Sequence, residues 1–297
     1  MASKTKIVFF GTPSFAVQIF DELKQSGILP DLVVTNPDEP QGRKLILTPP
    51  PVKEWALGNN IPIIQPKNLK TIPTKLINDF DLFLVVAYGK IIPETVLKLP
   101  KFGTLNVHPS LLPKYRGPSP IQHTILNGDK EAGISIMLLD KEMDHGPILA
   151  EESIDISTSN PYISDLRNVL SVLAGKTLSN IIPKWTQGKM GAIPQDHSKA
   201  TYVKKIEKDD GYIDSKIILD TDNIDRDTKI MAWRKVRAFT PDPSAYTVVE
   251  HNSKRTRLKI TRGRMEGENF VIEKVIPDGK KEMDFEDWKR GNLKSQN

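Results

Sequence analysis

The sequence predicts an α/β fold in two parts: a Rossmann-like, mainly parallel sheet with flanking helices, then a smaller all-β domain. Short β-branched apolar runs alternate with segments of helical spacing through residues 1–187. One of these runs, Leu82-Phe83-Leu84-Val85-Val86-Ala87, is apolar at every position, as a strand buried on both faces must be. Beyond residue 202 the rhythm changes to polar/apolar alternation bounded by Gly, Pro and charged turns, which marks antiparallel β-structure.

Taken in order, the first strand is expected at 6–10, ending at Gly11-Thr12-Pro13, with a helix from 14 to about 25 and Ser14 as its N-cap. Gly11-Thr12-Pro13 is not a GxGxxG loop, so dinucleotide binding loses its main support. Further strands are expected at 32–35, 62–64, 82–87 and 105–108. Ligands of such sheets gather beyond the carboxyl ends of the strands, which is where Gly11, Ala87-Tyr88-Gly89 and Asn106-Val107-His108 fall. Two more strands read at 133–139 and 148–156, joined by a turn-like loop that carries Asp144, and a helix follows from 161 to about 187. The Gly/Pro/Ser/Lys-bearing stretch 188–202 reads as a linker between an N-terminal domain, 1–187, and a C-terminal domain, 203–297. Alternation at 246–249, 257–261 and 269–275 suits a small β-barrel or sandwich with little helix.

Composition excludes several classes of chemistry. The 297 residues are 38% apolar, enough for a core without staples. With no Cys there is no disulfide, thiolate metal site or Cys nucleophile, and five scattered His without HExxH-like spacing predict no bound metal. No stretch approaches the roughly 20 apolar residues of a membrane span. The opening MASKTK is not a targeting leader, so a cytoplasmic location is expected. A formal charge of +5 fits an anionic partner without requiring one.

The candidate chemistry lies in Asn106-Val107-His108-Pro109. Side chains at i and i+2 of a strand leave from one face, so the Asn106 carboxamide and the His108 imidazole can reach a single substrate atom. An amide donor, an imidazole and a carboxylate brought in from elsewhere suit attack on a carbonyl, where charge builds on one oxygen. Alone, Asn106 reads equally well as a strand-end turn residue and His108 as a satisfied core histidine. Spacing leaves both Asp140 and Asp144 open as the carboxylate.

Residues 102–117, FGTLNVHPSLLPKYRG, followed by Asp144-His145-Gly146-Pro147-Ile148-Leu149, resemble the signature of the folate-dependent formyltransferases. That resemblance implies a catalytic set of Asn106, His108 and Asp144, with 10-formyltetrahydrofolate as co-substrate and no metal. It also implies that Ser110, Leu111, Leu112 and Pro113 line the folate pocket and that Tyr88 and Gly89 complete its pterin end. Asp144 would hold His108 in its productive tautomer. His145 stands where a small residue is usual, and Arg116 is expected to position a phosphate or carboxylate.

Two regions bear on the acceptor. Residues 36–53, NPDEPQGRKLILTPPPVK, resemble the insertion by which the branch acting on initiator methionyl-tRNA contacts the acceptor stem, with Arg43 and Lys44 at its tip. Residues 200–206, 237–247 and 279–283 are similar to the second domain of that branch, which implies an OB-like barrel that binds tRNA. Between Lys229 and Arg264 stand ten Lys/Arg against two carboxylates, Asp242 and Glu250, as a phosphate-gripping surface requires. The expected activity is formyl transfer to the α-amino group of initiator methionyl-tRNA, with no protein partner and no membrane. A nucleotide-sugar N-formyltransferase is the alternative enzyme, and a folate- or RNA-binding module without catalysis the alternative of another class.

Overall fold

The computed structural model describes residues 4–42, 44–72, 74–219, 223–251 and 254–293. They group into two compact units, one from Met1–Gly117, Ala132–Ile154 and Arg167–Tyr202, the other from Pro118–Glu131, Asp155–Leu166 and Val203–Asn297.

The first unit opens with β1 (Ile7–Gly11) and α1 (Ser14–Gln25). Helix α1 buries Ala16, Ile19, Phe20 and Leu23, the i, i+3, i+4, i+7 stripe its sequence predicts. Ser14 is not its cap. Pro13 occupies that position in extended conformation and its carbonyl accepts the Ala16 N–H at 3.0 Å, so no side chain is needed there. Then come β2 (Leu32–Val34), a hairpin of β3 (Glu39–Gln41) and β4 (Ile46–Thr48), α2 (Pro51–Gly58), β5 (Ile63–Ile64) and β6 (Leu82–Val86). Along the chain beyond β6 come α3 (Glu94–Leu97), β7 (Thr104–His108), α4 (Pro120–Asn127), which belongs to the second unit, β8 (Glu131–Leu138), β9 (Ile148–Asp155) and the long α5 (Ile163–Thr186), whose first turn belongs to the second unit.

Seven strands form one sheet in the order β5-β2-β1-β6-β7-β8-β9. The pairs from β5 to β7 are parallel, and β8 runs antiparallel to β7. From β1 the chain moves outward to β2 and β5 and then returns to β6 on the other side, so the order reverses between β1 and β6. Such a reversal leaves a crevice at the carboxyl ends of the strands, here at Gly11 and its partner Val86. Val8, Phe9, Phe10, Phe83, Leu84 and Val86 are fully buried, which explains why these strands do not alternate.

In the second unit α6 (Lys216–Leu219) and α7 (Arg226–Phe239) precede β10 (Ala245–His251), β11 (Lys254–Glu266), β12 (Asn269–Pro277), β13 (Met283–Asp284) and α8 (Phe285–Asn292). The strands pair antiparallel in that order, a sheet consistent with a small barrel, and a register shift between Ile260 and Gly263 bends the long β11. Its core joins Ala232 and Val236 of α7 to Leu258, Ile260, Phe270, Val275 and Trp288. This unit holds more helix than the sequence reading expected. Helix α7 is rich in Arg and Lys, which masks its apolar stripe, but Asp225 caps it by accepting the Thr228 N–H at 2.9 Å. Among the described residues no helix is long and apolar enough to cross a membrane.

Tyr88 packs edge-on to Phe10 inside the first unit, and its hydroxyl meets no hydrogen-bond partner among the described residues. Burial pushes this phenol up to about 12. An unfolded phenol ionises near 10, so between those values the unfolded chain binds fewer protons and stability falls as pH rises. Tyr88→Phe should remove that share of the alkaline loss, on the order of 2 kcal/mol, and leave stability at neutral pH equal or higher. Urea denaturation of both proteins near pH 7 and pH 11 measures this, and parallel losses in both would rule the phenol out.

Candidate functional site

At the end of β7, Asn106 and His108 lie opposite Met137 and Ser135 of β8, two positions apart on one strand face, while Leu105 and Val107 are buried on the other. The Asn106 side chain is half-buried and makes no hydrogen bond to any described residue, which leaves its amide available. His108 is buried, and its Nε2 lies 2.9 Å from the Tyr115 carbonyl. A carbonyl only accepts, so Nε2 carries the hydrogen and Nδ1 is the nitrogen that can exchange a proton. Asp144 had been expected to set this tautomer. Tyr115, held in the left-handed region at φ 63°, sets it instead.

Asp144 faces the other ring nitrogen. Its Oδ2 lies 3.6 Å from His108 Nδ1, within reach of charge but beyond a direct hydrogen bond, and accepts the Gly117 N–H at 2.8 Å. The competing carboxylate is engaged elsewhere: Asp140 Oδ2 lies 2.7 Å from His145 Nδ1. Asp144 sits at φ 50°, uncommon for a residue with a side chain, and Gly146 follows because a Cβ there would fall 2.0 Å from the Leu138 carbonyl oxygen.

What fixes this loop is a network that sequence reading missed. Gln195 Nε2 donates to the carbonyls of Asp144 at 2.9 Å and Gly146 at 2.8 Å, while its Oε1 accepts from Arg116 Nη2 at 2.7 Å. Arg116 is 1% exposed, and its other partners are His197 Nδ1 at 2.8 Å and the Tyr202 hydroxyl at 3.2 Å. It therefore organises protein groups, where a bound phosphate or carboxylate had been expected. His197 also stacks on His145, with ring centroids 4.0 Å apart and planes within 3°. The residues read as a linker thus carry three partners of Arg116, Gln195, His197 and Tyr202, and no local pattern in the sequence marks them for that part.

The remaining candidates divide by exposure. Ser110 and Leu112 are buried; the Ser110 hydroxyl donates to the Lys114 carbonyl at 2.6 Å and the Leu112 N–H to the Ser135 hydroxyl at 2.9 Å. Leu111 and Pro113 are half-buried and remain open to contact. The ring of Tyr88 belongs to the core, and its carbonyl accepts from Thr12 Oγ1 at 3.0 Å and Asn36 Nδ2 at 3.2 Å, which ties the Gly11-Thr12-Pro13 turn to Gly89, at φ 80°. Lys44 is exposed beside the β3–β4 hairpin, and Arg43 lies outside the described residues. Leu45, Ile46 and Leu47 are 72%, 62% and 64% exposed at the same end, while Asp38 at the base is gripped by Lys53 at 2.7 Å and Gln65 at 2.8 Å. Hydrogen bonds from Gln65 and Lys53 hold the Asp38 carboxyl below its ordinary range. No group of three or more His, Asp or Glu that could hold a metal occurs among the described residues.

Residues 5–182 match the formyl transferase family. The chain is 41% identical over 82% of its length to the methionyl-tRNA formyltransferase of Chloroflexus aggregans, covering 76% of that protein, and 36% identical over 91% to that of Staphylococcus aureus, covering 82%. The solved methionyl-tRNA formyltransferase of Clostridium thermocellum shares its fold, with a TM-score of 0.56 at 18% identity over 92% of this chain and 98% of that one.

Removing Gln195 tests whether the loop depends on it. Gln195→Ala leaves the buried Arg116 short of an acceptor and should cost about 1–3 kcal/mol of stability. It should also speed hydrogen exchange at the Gly117 amide, whose acceptor is Asp144. An unchanged exchange rate there would mean that the loop holds its place without Gln195.

Proposed function

This chain belongs to the formyl transferase family and, within it, to the methionyl-tRNA formyltransferases, and we infer from that premise that it moves a formyl group from 10-formyltetrahydrofolate to the α-amino group of initiator methionyl-tRNA. The observation that carries the reading is the placing of three groups at the end of β7: the half-buried Asn106, the exchangeable Nδ1 of His108 two positions on, and the Asp144 carboxylate facing that nitrogen. In this reading the Asn106 amide donates to the formyl oxygen as the attacking amine drives charge onto it, an effect worth about 3–4 kcal/mol in comparable sites. His108 takes the proton of the attacking amine at Nδ1 while Nε2 stays bonded to Tyr115, and a proton is returned to N10 as the formyl C–N10 bond breaks and tetrahydrofolate leaves. Asp144 stabilises the positive charge that this brings onto the ring. No covalent enzyme intermediate is required.

Leu111 and Pro113 supply apolar wall for the folate and the turn at Gly89 allows its close approach, whereas Ser110 and Leu112 act from behind by holding the shape of the loop. The methionyl-tRNA acceptor is favoured over a nucleotide sugar because relatives named for it share 36–41% identity over most of this chain. The hairpin then serves as the acceptor-stem contact. Its apolar end, Leu45-Ile46-Leu47, gives it a means of contact that does not depend on charge.

Formyl-acceptor assays with charged initiator tRNA and with an amino sugar nucleotide separate the two enzyme readings; formylation of the sugar alone would overturn ours. Asn106→Ala, His108→Ala and Asp144→Ala should each lower kcat by about two orders of magnitude or more, with folding intact. A near-parental kcat in any one removes that residue from the mechanism.

Replacing Leu45, Ile46 and Leu47 together by Ser should raise KM for charged tRNA, leave KM for the folate unchanged and keep its effect at high salt, while the effect of Lys44→Ala should fade as salt rises. Parental kinetics in both variants across a salt series would make the hairpin a bystander.

A further inference from the structure

Within the second unit a cavity of about 210 Å³ opens between α4 and α7. Thr124, Ile125 and Arg237 form its buried floor, and Lys130, Ser157 and Asn160 its exposed rim. Arg234 and Arg237 stand three residues apart on α7 and so line one wall together.

Both guanidinium groups are held in place by neutral neighbours. Arg237, 5% exposed, lies 4.0 Å over the Trp233 ring, and its Nη1 donates weakly to the Pro161 carbonyl at 3.4 Å. Its Nε has no hydrogen-bond partner among the described residues. Arg234 donates from Nη1 to the Leu126 carbonyl at 3.3 Å and rests directly over Gly128. A Cβ at that position would lie 1.9 Å from Arg234 Nη2, and φ there is +67°, so glycine is required both to end α4 and to admit the cation.

The charges do not balance locally. Burial pulls the Arg237 pKa down to about 10, repulsion from Arg234 pulls the same way, and only Tyr162 opposes them. Asp129 is the one carboxylate on the wall, facing Arg234, Arg237 and the rim residue Lys130. Two adjacent cations, one of them buried, are unfavourable alone, and an oxyanion entering from the rim would offset their repulsion.

We propose that this cavity binds a phosphate group, with the guanidinium groups of Arg234 and Arg237 as its cationic wall and Ser157 and Asn160 as polar groups at its mouth. Two guanidinium forks suit the several oxygens of a tetrahedral oxyanion, and the exposed rim admits a phosphate carried by a larger molecule. The group could belong to a small phosphorylated ligand or to a nucleic-acid backbone; the chemistry recognised is the same. This inference stands whether or not the formyl-transfer reading holds.

The test reads Arg237 in the intact chain. Arginine Nε–H resonances of the ¹⁵N-labelled protein are followed during titration with inorganic phosphate and, at matched ionic strength, with chloride; Arg237→Lys assigns the signal by its disappearance. The site predicts a saturable shift of that resonance with phosphate alone, with a Kd on the order of 1 mM, weakened about tenfold in Arg234→Gln. No saturable shift, or an equal one with chloride, overturns the proposal. Uncharged tRNA added at saturating phosphate then identifies the source: displacement supports a backbone phosphate, and an undisturbed phosphate signal supports a small phosphorylated ligand.

Discussion

A guanidinium removed from water must find acceptors, and in the first unit nearly everything about the candidate site follows from how Arg116 finds them. With 1% of its surface exposed it cannot rely on solvent, and its side-chain acceptors are an amide oxygen, an imidazole nitrogen and a phenol oxygen. The amide is the one with further reach. By accepting from Arg116, Gln195 is oriented to donate to two carbonyls of the loop that carries Asp144. Breaking one link leaves buried polar atoms unmatched at the next, so the links hold or fail together. The backbone of the same arginine takes part, because its N–H donates to the Thr201 carbonyl at 2.8 Å and draws 200–202 alongside 113–116.

This arrangement separates two tasks that often fall on one carboxylate. The ring of His108 is oriented by a backbone carbonyl, and in the proposed mechanism Asp144 is left to answer the charge that develops on the ring. A carbonyl oxygen in a fixed turn cannot be protonated, so orientation survives any change in the ionisation of Asp144. The separation rests on strained backbone: Tyr115 and Asp144 both occupy the left-handed region, and the surrounding hydrogen bonds maintain it.

Much of this was legible in the sequence, and the limits have physical causes. Strands buried on both faces announce themselves, and every expected strand of the first sheet lies within two residues of its place, because continuous apolar runs have few other uses. Asn106 and His108 could be paired because period-two geometry is local. The choice of Asp144 over Asp140 rested on family likeness, since it depends on which way a loop folds back, and that is decided by Gly146 against Leu138 and by Gln195 about fifty residues away. Side-chain networks between distant segments leave no periodic trace. Helix α7 escaped notice for a different reason: its charged residues dominate any hydropathy window, although four consecutive positions, Val236 to Phe239, are buried.

A count of charges along the chain leaves out what strand pairing adds. The window from Lys229 to Arg264 holds ten cations and two carboxylates, but strand pairing brings in acids from outside it. Arg262 and Arg264 of β11 meet Glu273 of β12 at 3.3 and 2.7 Å, and Lys229 is buried against Asn269. A linear excess therefore overstates the field at the surface, because antiparallel neighbours are far apart in sequence and close in space. On α7 the helix presents Arg234 and Arg237 together to a cavity lined by one carboxylate, Asp129, and a glycine at the end of α4 makes room for one of them. Where a basic domain will hold an anion is set less by how many cations it has than by where the fold gathers more cations than acids.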